Sequence, residues 1–157
     1  MKSFIPLLLL VLLTTGCSIM APNYQPNVST IQSIKKSGAE AVSVGKVDVA
    51  NPEVNKIGLR GSSMKSPYGD YGKYLEHALS IGLQDAGLLD KNSAIVVDAT
   101  LTKNDVNPAT GGGKGAIAAI FSVTRNGDKI FKKELQAEET WESSFVGAVA
   151  IPNAVNA

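Results

Sequence analysis

The sequence predicts an α+β domain in which one main helix packs on an antiparallel sheet of about four strands. Three observations carry this. Tyr71, Tyr74, Leu75, Ala78, Leu79, Leu83 and Ala86 recur at three- and four-residue spacing, which gathers them on one helical face. The odd positions of residues 95–102 are all apolar while the other face is half polar, as in a strand covered on one side, and Ile117, Ala119, Phe121 and Val123 at two-residue spacing mark a further strand. Between the second of these runs and the segment from Ile130 to Trp141 stands Asn126-Gly127, the strongest short-range hairpin signal.

Taken in chain order, the first element is a segment for export. Residues 1–16 carry one basic residue, Lys2, then an apolar run from Phe4 to Leu13 and small residues after it, the pattern of a signal peptide. As a helix the apolar run reaches about 15 Å, roughly half the hydrocarbon thickness of a bilayer. A transmembrane span is therefore not expected. The ending Leu13-Thr14-Thr15-Gly16-Cys17 resembles the lipobox of bacterial lipoproteins, with Thr14 where that family usually has leucine and Leu13 one place earlier. The resemblance implies cleavage between Gly16 and Cys17 and acylation of Cys17, the only cysteine. Ser18 after the cysteine, by resemblance to Gram-negative lipoproteins, implies an outer-membrane address facing the periplasm. The alternative is an ordinary secretory signal, with Cys17 discarded or left as a free thiol.

Residues 17–40 are expected as the lipidated cysteine and a tether, because residues 18–30 mix Pro, Asn and Ser without period. Ile31, Ile34 and Lys35 suggest a short helix closed by Gly38. The domain proper is expected over residues 41–157. It begins with a strand through Val42, Val44 and Val47, interrupted at Gly45 by a bulge or a close backbone approach. A short extended piece follows around Ile57 and Leu59. The main helix then takes Asp70 as N-cap and Gly87 as its left-handed stop. The glycines of residues 111–115 read as a flexible connection. In the last hairpin, a three-residue loop with Gly127 as the bulge sets Phe121 opposite Phe131 and Ile117 opposite Leu135, keeping apolar residues on one face. Pro152 opens what reads as a helix that the chain barely begins, either a frayed tail or the start of a longer form.

Chemistry is conspicuous by how little of it the chain can assemble. Lysine plus arginine total 15 against 14 acidic residues in 157, so no overall field favours nucleic acid. One histidine and one cysteine exclude a metal site built on two imidazoles and an internal disulfide. Gly111-Gly112-Gly113-Lys114-Gly115 lacks the spacing of a phosphate loop: Pro108 stands where the first glycine belongs, and Gly115 where Ser or Thr is needed. His77 falls among the polar residues of the main helix, and the neighbouring Glu138 and Glu139 point to opposite faces of a strand. Ser62-Ser63 and Ser143-Ser144 have no nucleophile-elbow pattern around them, and Arg60-Gly61-Ser62-Ser63 reads as a loop or a weak anion-binding turn. No cofactor and no enzymatic activity are expected. Tyr68, Trp141 and Phe145, with Tyr71, are candidates for an apolar contact with a partner.

The lipobox, the valine-rich first strand, Leu59-Arg60-Gly61-Ser62 ahead of the helix, and the run from Trp141 to Gly147 resemble uncharacterised proteobacterial envelope lipoproteins. More remotely, the element order is similar to that of auxiliary lipoproteins of envelope transport systems. The resulting expectation is a membrane-anchored, non-enzymatic adaptor or structural component that binds another envelope protein. The competing expectation is a carrier of lipid or another small apolar ligand, which requires a concave apolar pocket between helix and sheet.

Overall fold

A computed structural model describes residues 18–59, 61–107 and 112–141. Gly16, Cys17, Arg60, Phe145 and the helix expected at Pro152 lie outside them. The elements run β1 (Ser18–Met20), α1 (Val28–Lys36), β2 (Ser43–Val49), a 3-10 turn (Pro52–Asn55), β3 (Ile57–Leu59), β4 (Ser62–Lys65), α2 (Tyr71–Ala86), β5 (Ile95–Asn107), β6 (Gly113–Arg125) and β7 (Asp128–Trp141). They form an α+β fold with a four-stranded sheet in the order β2-β5-β6-β7 and a three-stranded sheet in the order β1-β4-β3.

The larger sheet has the expected number of strands but is mixed: β2 runs parallel to β5, while the β5–β6 and β6–β7 pairs are antiparallel. Parallel neighbours need a long crossover, and the chain supplies one from the β3–β4 hairpin and α2. The small sheet was not foreseen. In it β1 lies parallel to β4, with Ser18 opposite Ser63 and Met20 opposite Lys65. The stretch expected as a tether is thus partly folded: Ser18–Met20 is a paired strand, Ala21 is buried, and Val28–Lys36 is helical. Alternation is too short there to signal a strand, because the partner that stabilises it is distant in sequence.

Local chemistry accounts for the main helix. The Asp70 carboxylate accepts the Lys73 amide at 2.7 Å, Gly87 adopts φ 74°, and the Leu88 amide closes on the Leu83 carbonyl at 2.8 Å. At Gly45 the β2 register shifts between Val44 and Val47. A Cβ there would stand 2.3 Å from Asp98 Oδ1, an oxygen that accepts the Lys46 amide at 2.7 Å, so the glycine serves both a bulge and a close approach.

The last hairpin differs from expectation. Asn126 and Gly127 both have positive φ, 54° and 90°, as a two-residue type I′ turn requires, and Arg125 pairs with Asp128. The extra residue that restores the faces comes later, at Ile130, between the pairs Thr124–Lys129 and Val123–Phe131. Phe121 consequently faces Lys133, and Ile117 faces Ala137. The glycines expected as a loose connection also have another role: Gly113 and Gly115 belong to β6, and the Trp141 ring lies over them, at 2.1 Å from where a Cβ of Gly113 would be.

The core sits where the two sheets and α2 meet. Leu59 at 0% and Leu101 at 1% exposure are its most buried side chains, surrounded by Val54, Ile57, Met64, Tyr71 and Ala119. Helix α2 packs on β2 and β5. Among the described residues the helix-side face of β6 and β7 is covered only in part: Ala119 is buried, while Ile117, Phe131 and Leu135 stay exposed.

Candidate binding groove

That partly covered face is one wall of a groove. Helix α2 contributes Tyr74, Leu75, Ala78, Leu79 and Leu83, α1 adds Ile31 and Ile34, and the sheet supplies Leu101, Ile117 and Phe121 as floor. The cavity measures about 370 Å³. It exists because the apolar stripe of α2 is wider than the two strands it covers, and α1 lies against α2 rather than on the sheet. A second depression of about 240 Å³ continues from Leu75 and Ile117 to Leu135 and Ala137 on β7. Ile117, Leu135 and Phe131 remain 43%, 47% and 46% exposed along this face.

Among the described residues no Asp, Glu, Lys, Arg or His lines the groove. Tyr24 and Thr30 also line it, and three of its other polar groups are engaged already. The Tyr71 hydroxyl donates to the Met64 carbonyl at 3.1 Å, the Tyr74 hydroxyl to the Pro22 carbonyl at 3.0 Å, and the Asn104 amide to the Val54 carbonyl at 3.2 Å. Burial pushes the Tyr71 hydroxyl up to about 12, with Tyr74 adding to the rise. Burial, then Tyr68 and Tyr24, raises Tyr74 as well. Both rings therefore present neutral bodies to the groove. Such a lining recognises apolar matter and offers little to a charged ligand.

The residues singled out from sequence are dispersed. Tyr68 stacks on His77, ring centroids 4.2 Å apart, and on Tyr74 at 5.6 Å, so His77 is half-buried against an aromatic ring rather than free on a solvated face. Trp141 borders a separate cleft of about 390 Å³ with Asn104, Asp105, Val106, Glu138 and Glu139, and its indole N–H is buried with no partner among the described residues. Tyr68 is not part of that cleft. The Glu138 carboxyl lies below its ordinary range because Lys114 Nζ bridges to it at 2.8 Å. Ser62 and Ser63 are strand residues of β4, and Gly61 turns the hairpin at φ 84°. Among the described residues no group of three or more His, Cys, Asp or Glu could hold a metal ion, and no helix is long and apolar enough to cross a membrane.

Sequence reasoning did not locate the groove. Its advance signs were the apolar face of α2, the pocket between helix and sheet that the carrier expectation requires, and the spacing of Ile31 and Ile34, an apolar edge on a helix with no buried residue.

No protein-family model matches the sequence, and no curated protein matches it. Solved structures do. Protein XCC0632 from Xanthomonas campestris, of the family DUF330, superposes with a TM-score of 0.58 at 11% identity, covering 88% of this chain and 86% of that one. The two share a fold. A candidate lipoprotein from Caulobacter crescentus matches at TM-score 0.43 and 10% identity over 82% of this chain and 80% of its own. Lipoprotein GNA1162 from Neisseria meningitidis matches at 0.35 and 9% over 73% of this chain and 92% of its own.

Proposed function

We propose that this chain is a bacterial envelope lipoprotein, exported by residues 1–16, acylated on Cys17 and held at the outer membrane facing the periplasm. There it acts as a non-enzymatic adaptor whose groove receives an apolar segment of another envelope protein. The groove carries this reading: an open apolar trough that runs on to the partly covered face of β6 and β7, an extended shape suited to a partner's side chains. The signal segment and lipobox of the sequence support the anchor.

A second reading is favoured by the lining itself. With no Asp, Glu, Lys, Arg or His among its described lining residues and the Tyr71 and Tyr74 hydroxyls engaged, a cavity of about 370 Å³ suits an acyl chain, which would make the protein a carrier of lipid or another small apolar ligand.

One comparison separates them. The full protein and its Ile117→Glu variant, which puts a charge on the half-exposed groove floor, are purified from membranes and analysed by pull-down and by native mass spectrometry. An adaptor loses a specific protein partner on substitution, whereas a carrier loses bound lipid. If neither a protein nor a lipid is recovered with the unsubstituted chain, the groove has no such function. Labelled palmitate entering the protein, and its loss in Cys17→Ala, tests the anchor separately.

A further inference from the structure

Strand β7 closes one side of the four-stranded sheet, and among the described residues nothing pairs with its outer edge. It spans 14 residues, contains no proline, and is exposed from Asp128 to Thr140. Edges of this length are normally shortened, covered or interrupted, because a row of free N–H and C=O groups recruits another strand. The bulge at Ile130 disturbs one end of β7 and leaves the rest regular.

The charges along this edge are sorted by sign. After Asp128 at the turn, the basic residues Lys129, Lys132 and Lys133 all precede the acidic residues Glu134, Glu138 and Glu139. A parallel copy would set like charges side by side. An antiparallel copy sets the basic half against the acidic half.

We propose that β7 pairs antiparallel with β7 of a second copy of this chain, about a two-fold axis at Leu135, to form a continuous eight-stranded sheet. In this register Lys132 faces Glu138 of the second copy, and the symmetry repeats the pair. Glu134 faces Gln136, and Lys133 lies diagonal to Glu139. Both members of the repeated pair project from the sheet face away from the helices, the face on which Glu138 already meets Lys114. On the other face the two Leu135 side chains meet at the axis, flanked by Ala137 opposite Lys133 and Phe131 opposite Glu139 of the second copy. Shifting the register by two residues in one direction opposes Glu134 with itself, and in the other opposes Glu134 with Glu138. Both alternatives are disfavoured by like-charge contacts.

The test is sedimentation equilibrium of the full protein in detergent, with Lys132→Glu, Glu138→Lys and the double exchange. All substituted positions are exposed, and circular dichroism checks that the fold persists. The unsubstituted chain is expected to be a dimer. Each single reversal turns the symmetric pairs repulsive and should weaken the dimer roughly tenfold, and the double exchange should restore most of the loss. Leu135→Cys supplies a second readout. Opposed residues of antiparallel strands have Cα atoms about 4.5–5.5 Å apart, within disulfide reach, so mild oxidation should give a covalent dimer that the protein carrying only Cys17 does not give. The proposal is overturned if the chain is monomeric throughout. It is also overturned by a dimer indifferent to the charge exchange, by a dimer that Leu135→Cys fails to link, or by a different protein found bound to β7 in place of the second copy.

Discussion

Replacing Leu59 with alanine probes the junction of the two sheets, and replacing Ile117 with alanine probes the groove, with the same number of carbons removed each time. Leu59 is fully buried at 0% exposure. Its truncation removes about three methylene equivalents, roughly 2.4 kcal/mol at about 0.8 kcal/mol each. A residual cavity between packed strands adds about 1 kcal/mol, for a total near 3.5 kcal/mol. That is a large fraction of the stability of a typical domain and lowers Tm by on the order of 10 °C. Ile117 is 43% exposed and already borders open space. Its truncation forfeits only the buried part of the same transfer energy, about 1.4 kcal/mol, and creates no new enclosed void. Urea unfolding of both variants, followed by circular dichroism and checked for unchanged m-values, measures the difference. Equal losses at the two positions would refute the reasoning, since they would mean that the groove is closed over Ile117 in solution.

Two further outcomes follow from single contacts. Tyr71 has its hydroxyl raised from 10.0 to about 12 mainly by burial, so the unfolded chain ionises first. Stability from this residue is full below pH 10 and declines as pH rises towards 12; Tyr71→Phe should flatten that decline in pH-dependent urea melts, at a cost of about 1 kcal/mol at neutral pH for the lost bond to Met64. Gly45→Ala forces a methyl group against Asp98 Oδ1 and Val96 Cγ1, at 2.3 and 2.5 Å, and should cost roughly 1–3 kcal/mol by thermal melting. Unchanged melting would show that the β2 bulge has more room than the structure gives it.

The main helix was legible because its determinants are local: Asp70 and Gly87 sit one residue outside its ends, and its apolar face repeats within a few turns. Gly45 was legible for the same reason, as an interruption in a run of valines. The final hairpin was only half so. Asn126-Gly127 fixes the turn, and the apolar pattern demands one extra residue, but nothing in the residues themselves says whether that residue stands at Gly127 or at Ile130. Longer-range pairings were invisible. Ser18–Met20 becomes a strand only because β4 is beside it, and Gly113 is a platform only because Trp141 returns along β7 to cover it. The groove belongs to this second group, since it is defined by where α1 and α2 fail to cover the sheet, a property of their relative placement.

The pairing of Ser18 with Ser63 alters what an acylated Cys17 would do mechanically. A flexible segment of about thirteen residues gives a typical excursion of roughly 20 Å, enough for a domain to roam above the bilayer and meet partners at many heights. If Cys17 is acylated, a strand paired from the residue next to it would remove that leash. The domain would ride at the lipid surface in a restricted set of poses, much as a buoy on a short chain keeps its face to the current. The height of the groove above the headgroups would then be set by the fold, so a partner would have to deliver its apolar segment within about one domain diameter of the membrane.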